Sequence, residues 1–299
     1  MKPCSKNLLL AFILLTSLFI SCNQAKDTKP NYVVSLKNPI KNTPMRVVSV
    51  SPAITEILFD LDCGDRLIGR TEFCNYPPEA KKIKSIGGIN NANLEEIIKL
   101  NPDLVITSSI FTKKMFQTIE NASIPIISFK DANSIVGMYE IIETLGKVMN
   151  KEELAKKIIV GFNEELISIK AKRDSTQKSR NNYTIPKIYY VVGFGQTGDF
   201  SACKNTFIDE IITLSGGENI AKESLNWSFS KEEIFSNQPD YIFIRKEDSA
   251  QFVNTHPYNQ LQAVKKNRVY GIESNLMDIL SPRTIEAIEF ISEKILRID

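Results

Sequence analysis

Apolar and polar positions along the chain switch repeatedly between strand and helix periodicity. RVVSV (46–50), RLIGRT (66–71), DLVITS (103–108) and IPIISF (124–129) are short apolar runs too brief for helices. Between them, TEILFDL and NLEEIIKL (93–100) carry apolar residues at helical spacing. The second half repeats the theme: KIYYVV (187–192) and YIFIR (241–245) predict strands. TFIDEIITL predicts a helix closed by Gly216-Gly217. This strand–helix order predicts an α/β fold with a parallel sheet flanked by helices.

One segment recurs. NLEEIIKLNPDLVI aligns with SKEEIFSNQPDYIFI, so that Glu95, Glu96, Ile97, Pro102 and Asp103 fall on Glu232, Glu233, Ile234, Pro239 and Asp240 at one constant offset. Five identities at one offset predict two related, Rossmann-like lobes. Between them Ile135, Met138, Ile141, Ile142, Leu145 and Val148 keep helical spacing. Asn150 with Glu153 three residues on predicts a cap for a new helix, running to about Arg173 and crossing between lobes as one rigid bridge. RDSTQKSRNN (173–182) predicts a polar loop. Ser51-Pro52 predicts a helix start, with the serine as cap and the proline at the first helical position. Glu96 and Glu233 are expected to close capping boxes with Asn93 and Ser230.

The N-terminus is of another kind. Lys2 and Lys6 precede LLLAFILLTSLFI (8–20), an apolar run too short to span a bilayer, and Ser21 stands before Cys22. Residues 1–21 are read as a signal peptide of lipoprotein type, with Cys22 as the lipidated residue. The polar, proline-containing residues 22–44 are read as a tether. The domains expected are then an N-terminal lobe (45–149), a bridging helix and loop (150–182) and a C-terminal lobe (183–299). Removing the leader takes two lysines from a chain of net charge +2, leaving it neutral, which argues against nucleic acid or a polyanionic partner. Cys63 and Cys74 flank a strand and are expected to be too far apart for a disulfide.

Candidate chemistry is sparse. The single histidine, His256, sits before a proline in a polar loop, so no catalytic triad or imidazole metal cluster is expected. GFGQTG (193–198) follows a strand, but DFSACKN intervenes before the next helix, unlike a dinucleotide site. Aromatics concentrate instead in loops expected at the C-terminal edge of the strands: Phe73 to Tyr76, Ser108 to Phe111, Phe194, Phe200 and Trp227, with Ser51 beside them. Ligands of parallel α/β sheets bind at that edge, and this grouping predicts a cleft for a large, partly apolar ligand.

RVVSVSPAITEILFDLDCGDRLIGRTEFCNYPPEAKKIKSIGG, NLEEIIKLNPDLVI, TFIDEIITLSGGENIA, LQAVKKNRVY and SPRTIEAIEFI together resemble the substrate-binding lipoproteins of iron-complex and cobalamin ABC importers, over about residues 46–297. The resemblance implies two α/β lobes joined by one long helix and a ligand clamped between them. It implies binding without catalysis, no cofactor of the protein's own, and an exported protein lipid-anchored to a bacterial membrane. Its partners would be the permease dimer of an importer with its ATPase subunits. Gly88 stands where haem-binding relatives carry a tyrosine. Phe73, Phe200 and Trp227 match corrin-walling aromatics, while Ile89 and Ser108 stand where a cobalamin binder of the family has tryptophans. The ligand expected is a corrinoid, with a ferric siderophore or haem as the alternative. Ser51, Phe73, Tyr76, Ser108, Phe200, Trp227, Arg245 and Arg283 are the expected ligand residues, with Arg70 a further cation available to an anionic chelate. Glu95 and Glu232 are expected to dock on the permease. An enzyme acting on a tetrapyrrole and a surface interaction lipoprotein remain readings of other classes.

Overall fold

The computed structural model describes residues 32–35, 37–179 and 183–296. The leader, Cys22 and the start of the tether lie outside the described residues. The first half contains β1 (Tyr32–Val34), β2 (Val47–Ser49), α1 (Pro52–Asp60), β3 (Leu67–Arg70), α2 (Leu94–Lys99), β4 (Leu104–Thr107), α3 (Lys113–Asn121) and β5 (Ile126–Phe129). α4 (Ile135–Met149) and α5 (Glu152–Lys178) follow. The second half contains β6 (Lys187–Val191), α6 (Phe207–Ser215), β7 (Glu218–Asn219), α7 (Lys231–Asn237) and β8 (Tyr241–Arg245). It closes with α8 (Ser249–Asn254), α9 (Gln262–Lys265), β9 (Val269–Ile272), α10 (Ser274–Asp278) and α11 (Thr284–Leu296).

Two sheets result, one per lobe. The first has the order β1-β5-β4-β2-β3, parallel from β5 to β3, and the second has the order β7-β6-β8-β9, parallel throughout. Helices on both faces leave β2 and β4 wholly buried, which is why they read as mainly apolar runs, with Ser49 and Thr107 as their polar members. The repeat has a physical role. Asp103 accepts hydrogen bonds from the amides of Met45 (2.8 Å) and Arg46 (3.0 Å), ahead of β2. Asp240 accepts one from Lys187 (2.8 Å), the first residue of β6. Each Pro-Asp thus lashes the start of one central strand to the start of its neighbour and sets their register.

The lobes share one core. A single apolar cluster runs from Ile54, Ile57 and Leu58 of α1 through α4 and the Ala155, Phe162, Ile169 stripe of α5 to α6 and α11. α5 is continuous over 27 residues, about 40 Å at 1.5 Å per residue. Gly146 allows the approach of α4 and α5, since a Cβ there would lie 2.6 Å from that of Ala155.

Several local expectations are corrected. Tyr32–Val34, expected within the tether, form an antiparallel edge strand on β5. Asn150 does not begin α5: at φ 57° it terminates α4 in the left-handed conformation, where asparagine is tolerated, and Lys151 precedes the first turn. Residues 173–178, expected as loop, continue α5, because Arg173 is held against Leu214 O of α6. Glu96 closes no capping box, since it pairs with Lys84 instead, whereas Ser230 and Glu233 form the full box.

Gly161 lies inside α5 with no atom within 4 Å of where its Cβ would stand. An interior helical glycine costs roughly 0.5–1 kcal/mol relative to alanine. Gly161→Ala is therefore expected to raise the unfolding free energy by about that amount in urea titrations. A loss of stability would mean that the native helix needs glycine there.

Candidate functional site: an interlobe cleft

The loops at the C-terminal edges of β2, β3, β4 and β5 meet the start of α6 and the end of α10 around a cleft of about 490 Å³. This is the edge at which parallel α/β sheets bind ligands, and the size suits a small-molecule site. One wall is N-terminal lobe: Ser51, Phe73, Asn75, Ser108 and Ile110, with Phe129 at the end of β5. The other is C-terminal lobe: Phe207, Asn275, Asp278 and Leu280.

Local packing explains how these side chains are presented. Cys74 is buried, its thiol 3.1 Å from both Thr55 Oγ1 and Thr71 Oγ1, and burial pushes that thiol up from its ordinary pKa. With Cys74 pinned on α1, its neighbour Phe73 is turned outward and stays 51% exposed at the mouth. Ser51 occupies the cap position of α1, followed by Pro52, but its side chain makes no capping bond; its carbonyl accepts from Thr55 instead. The expected cap is thus correct in place and not in bonding.

Two arginines near the cleft are already engaged. Arg245 Nη2 lies 3.0 Å from Asp278 Oδ2, and burial pushes the Asp278 carboxyl up against the opposing pull of Arg245. Arg283, on the C-terminal lobe, reaches Glu56 of α1 (3.5 Å) and Glu286 (3.4 Å) and stacks 3.5 Å from the centre of the Tyr76 ring. Ser281 Oγ donates to the same Glu56 at 2.5 Å. Arg283 and Ser281 therefore clasp Glu56 and Tyr76 of the other lobe. Asp131 accepts a hydrogen bond from Ser109.

Of the expected ligand residues, the cleft lining contains Ser51, Phe73 and Ser108. Tyr76, Phe200, Trp227, Arg245 and Arg283 stand outside that lining. Tyr76 lies beneath Arg283. Phe200 turns back under its own glycine loop, against Gly193 and Gly198. Trp227 sits at a positive-φ turn and packs on the shared core. Phe111 is buried beneath the sheet with Ile97 and Ile119, and Phe194 packs on Phe252 and Tyr258. Arg70 donates to the carbonyls of Thr71, Ala80 and Lys81 rather than facing the cleft. Phe207, Asn275 and Asp278, not among the expected residues, also line the cleft. Phe207 had a signal, since it follows the helix cap Thr206 at the edge where ligands bind.

Burial, opposed by Ser281 and Arg283, pushes the Glu56 carboxyl above its ordinary 4.5. A carboxyl raised by folding contributes stability that is full below its unfolded pKa and lost as pH rises through the folded one. Glu56→Gln fixes the neutral form, so its unfolding free energy is expected to gain on the wild type as pH rises from about 4 to about 7. Denaturant titrations at each pH measure this, and a pH-independent gap would refute it.

With this geometry in view, comparison with known proteins is informative. The model of the periplasmic binding protein family matches residues 47–276. An ABC transporter substrate-binding lipoprotein of Bacillus subtilis is 29% identical over 261 residues, covering 86% of this chain and 81% of that one. A vitamin B12-binding protein of Vibrio parahaemolyticus is 28% identical over 254 residues, covering 83% and 88%. A periplasmic haem-binding protein of Pseudomonas aeruginosa shares the fold, with TM-score 0.75 at 20% identity and coverage of 83% and 91%. The chain, with its two α/β lobes, one long bridging helix and a cleft between them, belongs to the periplasmic binding protein family.

Proposed function

We propose that this protein is a lipoprotein anchored through Cys22 that captures a corrinoid, with cobalamin as the leading candidate, and passes it to the permease dimer of an ABC importer. The observation that carries the ligand is the chemistry of the cleft. Among the described residues no arginine, histidine, tyrosine, cysteine or methionine lines it, while Asn75, Asn133 and Asn275 do, among aliphatic and aromatic side chains. Anionic groups of haem or siderophores are matched by arginine forks. Here Arg70, Arg245 and Arg283 are each already bonded within the protein. Asparagines between apolar walls suit a large macrocycle edged with neutral amides. On this reading Ser51, Phe73 and Ser108 touch the ligand, while Arg245 and Arg283 hold Asp278 and Glu56 in place. A ferric siderophore or haem is the alternative, favoured by Lys130 in the lining. Absorption spectra after exposure to cobalamin, haemin and ferric chelates separate the two readings.

Phe73 is poised to cover apolar ligand surface, worth on the order of 1–3 kcal/mol, or about 5- to 150-fold in affinity. Phe73→Ala is expected to weaken cobalamin binding by about that factor without moving the melting temperature. Phe111→Ala, in the core, is expected to lower the melting temperature instead. Quenching of the single tryptophan, Trp227, by added cobalamin gives the affinity. Unchanged binding by Phe73→Ala would remove the cleft from its role.

Permease docking is assigned to Glu95 and Glu232, both exposed in the first turns of the two repeated helices. Two equivalent carboxylates, one per lobe, suit a two-fold transporter presenting one basic pocket per subunit. The double variant Glu95→Lys, Glu232→Lys is expected to abolish uptake while ligand affinity and melting temperature stay at wild-type values. Normal uptake would refute the docking role, and lost ligand affinity would move these acids into the binding site.

A further inference from the structure

We infer that Lys130 pairs with the phosphodiester of a complete corrinoid, adding affinity for a cobalamin that a corrinoid without the nucleotide loop does not gain; the inference rests on the corrinoid reading proposed above. Lys130 is exposed and is the one cation that lines the cleft among the described residues. Two carboxylates share that lining, and both are engaged: Asp278 pairs with Arg245 at 3.0 Å, and Asp131 accepts from Ser109. Lys130 itself makes no ion pair among the described residues. A haem brings two propionates, more than a single lysine can match. A corrinoid has a rim of neutral amides, and its nucleotide loop carries one phosphodiester charge. One unpaired cation beside Asn75, Asn133 and Asn275 is complementary to that pattern.

The fold presents this ammonium from a fixed place. Phe129, buried at the end of β5, is paired with Tyr32 of β1. Just before it, Ser128 Oγ donates to Ser108 O at 3.3 Å, and just after Lys130, Asp131 is bonded to Ser109. Lys130 thus leaves the sheet between two residues tied to the loop that follows β4. Further on, Ser134 caps α4 by accepting from the amide of Gly137 at 3.2 Å, and the amide of Ile135 is bonded to Glu210. The short link from β5 to α4 is therefore anchored at both ends, and mainly the lysine side chain needs ordering when a ligand arrives. A lysine is a point charge on a flexible stem, suited to one phosphate oxygen rather than to a planar carboxylate fork.

The test measures binding of cyanocobalamin and of dicyanocobinamide by calorimetry in phosphate-free buffer, for the wild type, Lys130→Gln and Lys130→Arg. Cobinamide keeps the corrin ring and its amides but has no phosphodiester. Lys130→Gln is expected to weaken cyanocobalamin binding about 3- to 20-fold while dicyanocobinamide affinity and the melting temperature stay unchanged. Lys130→Arg, which keeps the charge, is expected to retain most of the wild-type affinity. Unchanged cyanocobalamin affinity in Lys130→Gln overturns the inference. So does an equal loss for both corrinoids, which would place the lysine against the ring. Wild-type protein that binds neither corrinoid overturns the corrinoid reading, and the inference falls with it.

Discussion

The amide of Ile135, at the start of α4, donates to Glu210 on the first turn of α6, 2.8 Å away. That bond marks the constraint on which the rest of the molecule depends: α4, α5, α6 and α11 pack into one core that neither lobe owns. An isolated lobe would leave the inward faces of α4 and α5 without their partners. The lobes are therefore set by burial of a shared apolar seam, not by a linker, and Ile54, Phe129, Ile141 and Leu280 of that seam also line the cleft. Large hinge closure would have to break the seam, whereas small sliding of packed helices would not. The Arg283 clasp on Glu56 and Tyr76 ties the lobes again beside the cleft.

Much of this was legible in the sequence because the signals were dense and redundant. Central strands buried on both faces appear as apolar runs, and the repeated Glu-Glu-Ile and Pro-Asp steps mark equivalent helix starts and strand lashings. The errors fell where two local options compete for the same residue. Asn150 could cap the helix after it or end the one before it, and the left-handed backbone favoured the second. Glu96 could fold back on its own helix or reach Lys84, and the ion pair won. Residues 173–178 are polar yet helical because tertiary contact to α6 sustains the last turns of α5. Residues 32–34 carry too few positions for periodicity to register, and only the exposed edge of β5 gives them a place.

The cleft was legible as a location more than as a list. Of the residues expected from their position at the strand edge, Ser51, Phe73 and Ser108 line it. Side-chain direction, which loop sequence does not encode, carries Phe111 into the core and turns Phe200 against Gly193 and Gly198. In FCNY one buried thiol sets the direction of its neighbour: Cys74 goes down between two threonines and Phe73 goes up. In SSIF the order is reversed, with Phe111 in the core and Ile110 at the cleft. Neighbouring residues on an extended loop face opposite ways, so one anchored partner suffices to place the other.

The same logic governs the charges. A guanidinium facing an empty apolar cleft would lose solvation without a partner, so each arginine near this one is held by a carboxylate or by backbone carbonyls. The cleft lining is then amide, aliphatic and aromatic surface together with Lys130, Asp131 and Asp278. Glu95 and Glu232 lie instead exposed in the first turns of α2 and α7, where a carboxylate complements the positive end of the helix dipole. The arginines beside the cleft are thus held by the protein itself, whereas Glu95 and Glu232 are exposed on helix starts.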